Sequence, residues 1–366
     1  MASLNPPLYM QIYNRLKEDI LAMKYSAGKR LPTEKELCDM YHVSRITSKN
    51  ALNMLAEENL IVRIKGKGSF VPNMQNCIQQ NGTHNKKPKI IGVILPEIED
   101  YYGKQVFITI EEQCKANGFL CVFSRSANNQ AMEEQALKEM LNHGVSGIII
   151  MPVFGMYYNA KILRLILDKF PVVVIDRELR GIPSHFVGTD NISAAETAMD
   201  YLINSGHKKI GVYTAPIKNT ASLEDRIEGI YRSLAKNNVA IDSSLFFSQI
   251  RCTLSAPLQS TDIDHDKNAI AKHITEHKNM TAVFALVYDV AMLIKSVLKK
   301  LDINDMEIVC FDSPKHTPFD SYNFTHVKQN EEEIGKKAFN LLLSLITGGE
   351  QKDIVKININ ASLIFK

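Results

Sequence analysis

Apolar positions recur every three to four residues at the start of the chain, where Leu8, Ile12, Leu16 and Ile20 form one stripe. That spacing predicts an amphipathic helix with Tyr13 and Met23 at its flanks. Gly28 ends the connection that follows. Arg30-Leu31-Pro32 then leads into Thr33-Glu34-Lys35-Glu36, where a threonine hydroxyl and a glutamate three residues on can satisfy each other's backbone donors as a capping box. The short helix after it is expected to bury Leu37, Met40 and Tyr41. A tight turn at His42-Val43 delivers Ser44, a second N-cap, and a helix over Arg45–Asn59 whose Ile46, Ala51, Leu52 and Leu55 are expected to face inward. Leu60–Ile64 and Ser69–Val71 flank Lys65-Gly66-Lys67-Gly68 and read as a hairpin with a glycine-rich tip.

From Lys89 the pattern changes. Short, continuously apolar runs (Ile90–Leu95, Phe119–Phe123, Gly147–Met151, Val172–Asp176) alternate with helical stretches around 106–117, 131–143 and 162–169. A second series follows, with helices around 192–205, 223–237 and 290–301 and strands at Lys209–Tyr213, Thr281–Ala285 and Glu307–Phe311. Fully apolar strands alternating with helices predict parallel sheets covered on both faces, here as two lobes with a cleft at the carboxyl ends of the strands. The fold class is thus α/β, with a small helical head in front. Between the two regimes, residues 73–89 are polar and rich in Asn and Gln, as an exposed linker would be. The expected division is residues 1–72, linker 73–89 and residues 90–366.

Charge sharpens that division. The net charge of +3 conceals +4 on residues 1–73, +3 on 74–89 and −4 on the rest. A basic head on an acidic body suits a phosphate-binding head. In the head, Arg45, Thr47 and Lys49 fall on the first turns of the second helix of a tight helix-turn-helix, and Lys65, Gly66 and Lys67 on the hairpin tip. Arginine at such a helix start can pair bidentately with guanine or clamp a phosphate, and a glycine tip lets the backbone come close to DNA. The competing reading is that these cations merely solvate a small helical domain.

With 45% apolar and 23% charged residues, the composition is that of an ordinary globular protein. No N-terminal stretch has the zones of a secretion signal, and no apolar run approaches the roughly 20 residues of a membrane span. The six cysteines are scattered without a CxxC pair, which fits a reducing cytoplasm and neither a zinc site nor a disulfide framework. The first strand ends in Leu95-Pro96-Glu97 with no GxGxxG, and there is no Walker A sequence. No nucleophile–base pair stands out. The expectation is therefore a protein that is not an enzyme and needs no cofactor or metal.

The segments Leu8–Ile20, Leu31–Leu37, Val43–Thr47, Leu55–Leu60 and Gly66-x-Gly68-x-Phe70-Val71 resemble, in order, the GntR-family winged helix-turn-helix. By that resemblance Lys35, Ser44, Arg45, Thr47, Lys49, Lys65, Gly66 and Lys67 would touch DNA. Ser48-Lys49 stands where many relatives have arginine, which alters base preference. Residues 89–366 resemble the LacI/GalR sensor, the type I periplasmic-binding-protein-like fold. The resemblance rests on Pro171–Arg177, Val187–Asn191, Leu202–Ile210, Arg226–Gly229, Thr281–Phe284, Asp289–Ala291, Ile308–Asp312 and Val327–Gln329. The hinge helix of LacI is absent and the polar linker takes its place. A GntR head on a LacI-type sensor resembles the arabinose-repressor group.

The resemblance implies a repressor acting as a homodimer on a near-palindromic duplex operator, under control of a small sugar such as arabinose or another monosaccharide or deoxy sugar. The alternative is a sugar-binding protein or interaction module without specific DNA recognition. The ligand residues implied are Tyr101 or Tyr102, Arg125, Asp176, Arg177, Asp190, Arg226, Tyr288, Asp289, Asp312 and Gln329. Carboxylates, guanidinium groups and amides each hold two vicinal hydroxyls, and an aromatic face covers the apolar side of a sugar. Asp190-Asn191 and Asp289 also suit N-capping, and Arg226 an ion pair with a neighbouring helix. Position 288 is Tyr where this family usually has Asn, which implies a smaller or reshaped pocket.

Overall fold

The structure is a computed structural model. It describes residues 7–366 except 23, 27, 59, 65, 72–88, 100–101, 155–157, 217–219, 252–259, 313–323 and 349–352. Lys65, Tyr101 and the expected linker, save Lys89, lie outside the described residues. The chain divides into two compact units, Met1–Lys87 and Pro88–Lys366.

The first unit holds α1 (Leu8–Leu21), α2 (Glu34–Tyr41), α3 (Arg45–Glu57) and an antiparallel hairpin of β1 (Val62–Ile64) and β2 (Gly68–Phe70). Ile12, Leu16, Leu31, Leu37, Ala51, Leu52, Leu55 and Ile61 make its core. The capping box forms as the sequence predicts: Thr33 Oγ1 accepts from Glu36 N at 3.2 Å and Thr33 N donates to Glu36 Oε2 at 2.6 Å. Residues 28–31 run along β2, with Gly28 N donating to Val71 O and Leu31 N to Ser69 O.

Three inward expectations fail here. Met40 is 56% exposed, Tyr41 37% and Ile46 72%. The inward face of α3 is Ser48, Ala51, Leu52 and Leu55, so a serine takes the place expected of Ile46. Ser48 is tolerated inside because its hydroxyl donates to Arg45 O at 3.1 Å and lies 3.4 Å from Cys38 Sγ.

The second unit is two lobes, each a six-stranded sheet. In chain order the elements are β3 (Lys89–Leu95), α4 (Lys104–Ala116), β4 (Phe119–Arg125), α5 (Gln130–Asn142), β5 (Gly147–Ile150), α6 (Ala160–Leu167), β6 (Val172–Ile175) and β7 (His185–Thr189). Then come α7 (Asn191–Asn204), β8 (Ile210–Tyr213), α8 (Ala221–Lys236), β9 (Phe246–Phe247), α9 (Ser260–Glu276), β10 (Ala282–Ala285), α10 (Tyr288–Lys300), β11 (Glu307–Phe311) and β12 (Thr325–Lys328). Last are α11 (Glu331–Ile346), β13 (Lys356–Ile359) and β14 (Ser362–Ile364).

The first sheet runs β13-β7-β6-β5-β3-β4, and the second β14-β12-β11-β10-β8-β9. All neighbours are parallel except β12 with β14. Both lobes therefore repeat one doubly wound order, whose switch points lie between β3 and β5 and between β8 and β10.

Each sheet is apolar on both faces, as parallel strands between helices must be. In the first lobe α4 and α11 cover one face and α5 and α6 the other. In the second, α7 and α8 face α9 and α10 across the sheet. Helix α8 lies close on α7 because Gly229 has no Cβ; one placed there would stand 2.2 Å from Ile192 O.

The chain crosses between lobes three times: after β7, after β12 and after β13. Thr189 Oγ1 donates to Gln329 Oε1 at 2.5 Å and Asp190 N to Ile359 O at 2.9 Å, so the first crossing is hydrogen-bonded to each of the other two.

Candidate functional site

In the first unit, Ser44 caps α3: its Oγ accepts from Thr47 N at 3.2 Å and lies 2.9 Å from Thr47 Oγ1. Both residues that were expected to touch DNA thus first fix the start of the helix. Arg45 and Lys49 are exposed on it, Lys35 is exposed on α2, and Gly66 and Lys67 are exposed at the hairpin tip. Gly66 has φ 77°, which glycine adopts without strain.

Two basic residues went unnoticed in the sequence. Arg30 lies against Gly68, where a Cβ would stand 2.9 Å from its Nε, so glycine makes room for the guanidinium at the root of the hairpin. Arg63 on β1 hydrogen-bonds Asn53 of α3 and Glu34 of α2, tying the hairpin to both helices. No periodicity marks either contact, since each joins residues distant in the chain.

The second unit gathers charged side chains at the carboxyl ends of both sheets. Asp176 follows β6 and is nearly buried, and Tyr102 Oη donates to its Oδ1 at 2.8 Å. Burial, and then the Asp176 charge, push the Tyr102 phenol well above its ordinary pKa, so it stays a donor. Arg177 Nη1 donates to Asn128 Oδ1 at 2.9 Å and to Pro152 O at 2.8 Å, with its guanidinium 3.4 Å from the centroid of the Phe154 ring. Its Nε lies 3.7 Å from Asp176 Oδ2. Burial lowers its pKa to about 10, which leaves it cationic near neutrality.

Across the cleft, Arg226 of α8 is buried, with Nε donating to Asn191 Oδ1 at 2.8 Å, Nη1 to Leu286 O at 2.5 Å, and its guanidinium over the Phe311 ring at 3.7 Å. Asp312 follows β11 and is held by Gln329 Nε2 at 2.9 and 3.1 Å from its two oxygens. Burial raises the Asp312 carboxyl to about 7, against the opposing pull of Arg226 and Gln329. Gln329 in turn accepts from Thr189, so the carboxylate is connected to the lobe crossings by two hydrogen bonds in series.

Other expected residues stand apart from this network. Arg125 is exposed at the end of β4 and pairs with Glu97 at 3.0 Å. Asp190 caps α7, accepting from Ser193 N at 3.0 Å and Ser193 Oγ at 2.8 Å; the neighbour that enters the network is Asn191. Tyr288 and Asp289 open α10 at the carboxyl end of β10, half-buried, and the Tyr288 ring meets Phe324 edge-on at 6.3 Å. The N-cap of α10 is Val287, so Asp289 is not a cap.

Beside the network lies a cavity of about 220 Å³ lined by Pro152, Phe154, Tyr158, Arg177, Arg180 and Glu224 among others. Among the described residues expected to hold ligand, only Arg177 lines it. Arg180 closes one side by spanning the lobes: Nη1 pairs with Glu224 Oε2 at 2.6 Å and Nη2 with Asp225. Glu133, wholly buried, holds the opposite wall by accepting from Val153 N at 2.8 Å and Asn159 Nδ2 at 3.0 Å.

Among the described residues, three buried side-chain polar atoms have no hydrogen-bond partner: Ser126 Oγ, Arg177 Nε and Thr214 Oγ1. Ser126 follows β4, Arg177 lies just beyond β6 and Thr214 follows β8, so all three sit at carboxyl ends of strands. Buried polar atoms without a hydrogen-bond partner are costly and rare; Arg177 Nε has only its longer ion-pair contact with Asp176, and all three atoms could hydrogen-bond a ligand's polar groups. Among the described residues no cluster of three or more His, Cys, Asp or Glu could hold a metal ion, and no helix is long and apolar enough to cross a membrane.

Residues 8–71 match the family of bacterial regulatory proteins of the gntR type, and residues 91–293 match the periplasmic binding protein domain. The chain is 24% identical over 363 residues to an arabinose metabolism transcriptional repressor of Geobacillus stearothermophilus, covering 96% of this chain and 93% of that one. It is 23% identical over 353 residues to an arabinose metabolism transcriptional repressor of Halalkalibacterium halodurans, covering 93% and 90%. The crystal structure of the transcription regulator CcpA of Lactococcus lactis superposes with a TM-score of 0.63 at 22% identity, covering 76% of this chain and 98% of that one. The chain belongs to the periplasmic binding protein domain family and carries in front of that domain a DNA-binding helix-turn-helix of the gntR family, which makes it a transcription regulator.

Proposed function

We propose that this chain is a cytoplasmic repressor whose operator binding is controlled by a monosaccharide, arabinose or another small or deoxy sugar, held between the two lobes of residues 90–366. Residues 1–72 would read DNA, residues 73–89 would link the two parts, and the protein would act as a homodimer on a near-palindromic operator. One winged head offers few phosphate contacts, so useful affinity calls for two heads on a two-fold site.

The observation that carries this reading is the set of buried Asp176, Arg226, Asp312 and Gln329 with half-buried Tyr102 and Arg177 at the carboxyl ends of both sheets, with buried polar atoms that lack a hydrogen-bond partner at the same strand ends. Paired carboxylates, guanidinium groups and an amide suit vicinal hydroxyls, and Phe154 and Tyr158 supply aromatic surface. A cavity of about 220 Å³ falls below the ~300–1,000 Å³ typical of drug-sized ligands and suits a single sugar ring. The names of the two arabinose repressors favour a pentose. A sugar can shift the lobes only by binding one state of closure better, and the chain Asp312–Gln329–Thr189 would carry that preference to the crossings.

The test is a thermal-shift screen of the purified protein against arabinose, xylose, ribose, deoxyribose, galactose and glucose. One sugar should raise Tm, because it binds the folded state alone, and should change operator affinity. A protein indifferent to all of them would refute the sugar assignment.

A further inference from the structure

We propose that Ile46 reads the 5-methyl group of a thymine in the operator's major groove; the inference rests on the head being an operator reader. The polarity of the first turn of α3 is inverted: Ser48 points into the core and Ile46, two residues earlier, stands 72% exposed. Among the large apolar side chains described, only Leu167 is more exposed. At about 100° per residue, the buried Ser48, Ala51, Leu52 and Leu55 define the inward direction, and Ile46 lies almost diametrically opposite.

Arg45 and Thr47 flank that outward line, and Lys49 and Asn50 continue it one turn later, all but half-buried Thr47 exposed. Single exposed apolar residues are ordinary on protein surfaces, so exposure alone decides nothing. What decides is position. This isoleucine occupies the middle of the outward face, with Arg45 and Lys49 on one side of it and Thr47 and Asn50 on the other, and it is not among the residues of the head's core.

A duplex major groove supplies one apolar feature on its base edges, the thymine methyl. Isoleucine is stiff at χ1 and loses little freedom in meeting it. A second apolar protein surface is a poorer occupant, because docking there would bring the exposed cations Arg45 and Lys49 out of water, whereas the phosphates of a duplex would pair them. The contact would favour a T·A pair at one place in each half-site, next to the base or phosphate that Arg45 holds.

The experiment begins by selecting duplexes from a random pool with the full-length wild-type protein. Each selected thymine is then replaced by deoxyuridine, which removes the methyl and leaves every hydrogen-bonding group. One position per half-site should lose affinity about 3- to 10-fold. Ile46→Ala should weaken binding to the thymine operator by a similar factor and be blind to the replacement. Its Tm should match wild type, since no core contact is removed. A deoxyuridine penalty that persists undiminished in Ile46→Ala, or no sensitive position at all, overturns the proposal. So does an Ile46→Ala protein that selects the same sequence with equal affinity but sediments differently, which would make the patch a protein contact. If the wild type selects no sequence whatever, the operator-reading role itself fails, and Ile46 with it.

Discussion

Asp176 and Asp312 are the same corner built twice. Each follows the fourth strand of its lobe, β6 or β11, and each has a left-handed backbone, with φ 61° and 64°. Each donates its N–H to a valine carbonyl on the next strand, Asp176 to Val187 at 3.1 Å and Asp312 to Val327 at 2.9 Å. Left-handed backbone is uncommon outside glycine, and aspartate tolerates it better than most residues. The turn aims both carboxylates out of the carboxyl ends of the sheets, where Tyr102 meets one and Gln329 the other.

The Asp312 carboxylate has an environment that titration can read. Burial raises the Asp312 carboxyl from 3.8 to about 7, so the folded state holds its proton more tightly than the unfolded chain. The folded protein then binds more protons between those two values. The stability linked to this group is greatest at low pH and is lost as pH rises toward 7. Asp312→Asn, neutral throughout, should become progressively more stable relative to wild type from about pH 4 to about pH 7, levelling above the folded pKa. Urea unfolding across that range measures it, and a pH-independent difference would mean the carboxyl is ionised throughout.

Arg226 answers to two demands at once. Its guanidinium supports Asn191, the Leu286 carbonyl and the Phe311 face, and it offsets the Asp312 charge. Removing one partner from such a buried set typically costs about 3–5 kcal/mol. Arg226→Ala should therefore unfold at lower denaturant, beyond any effect on ligand. Arg226→Lys keeps the charge and loses the fork, and should fold while binding the sugar about 10- to 100-fold more weakly. Calorimetric titration of the lysine variant separates the two effects; wild-type sugar affinity there would remove Arg226 from the site.

The pattern of apolar runs predicts both parallel sheets and most of their helices, because a strand buried on two faces has no alternative composition. What it cannot convey is the second crossing, the return to the first lobe after β12. Helix α11 and β13 follow the last strand of the second series yet complete the first lobe. Nothing in their local periodicity names which sheet they cover. The same limit governs the site. Family motifs point to Asp176, Arg177, Arg226, Asp312 and Gln329, which the fold brings together, whereas Arg125 pairs locally with Glu97 and Asp190 caps a helix, since a charge near a strand end can do either. Phe154, Tyr158 and Arg180, which line the cavity, belong to no motif. In the head, Ile46 was assigned inward by its hydrophobicity, although the phase of Ala51, Leu52 and Leu55 already pointed it outward.

Arg180 joins the lobes through Glu224 and Asp225 at a partly exposed site, its side chain retaining 44% of its accessible surface. Such pairs contribute little to global stability, about 0–1 kcal/mol each. Their geometric role is larger, because they exist only when the lobes are close. Arg180→Ala should leave the urea midpoint nearly unchanged and weaken the sugar several-fold by favouring the open state. Adding salt to wild type should do the same in part, and the variant should lose that salt dependence. A variant with unaltered sugar affinity would show that the clasp has no part in closure.

The head makes separable predictions for its two kinds of basic residue. Arg45 sits on the first turn of α3, with its start fixed by the Ser44 cap and the helix braced by Arg63 through Asn53 and Glu34. A side chain so placed can reach a base edge, and losing a bidentate contact costs about 1–3 kcal/mol of discrimination. Lys67 stands exposed at the hairpin tip beside Gly66, where backbone and ammonium suit a phosphate, which carries no sequence information. Arg45→Ala should thus lower the ratio of operator to random-duplex affinity about 5- to 150-fold. Lys67→Ala should weaken both alike and reduce the slope of log K against log salt by about one unit per head. Two heads on a two-fold operator would double that change in slope, so the same titration reports how many heads engage. An Arg45→Ala protein with the wild-type ratio would displace the reading role from the first turn of α3, while an unchanged salt slope for Lys67→Ala would take the hairpin tip off the DNA.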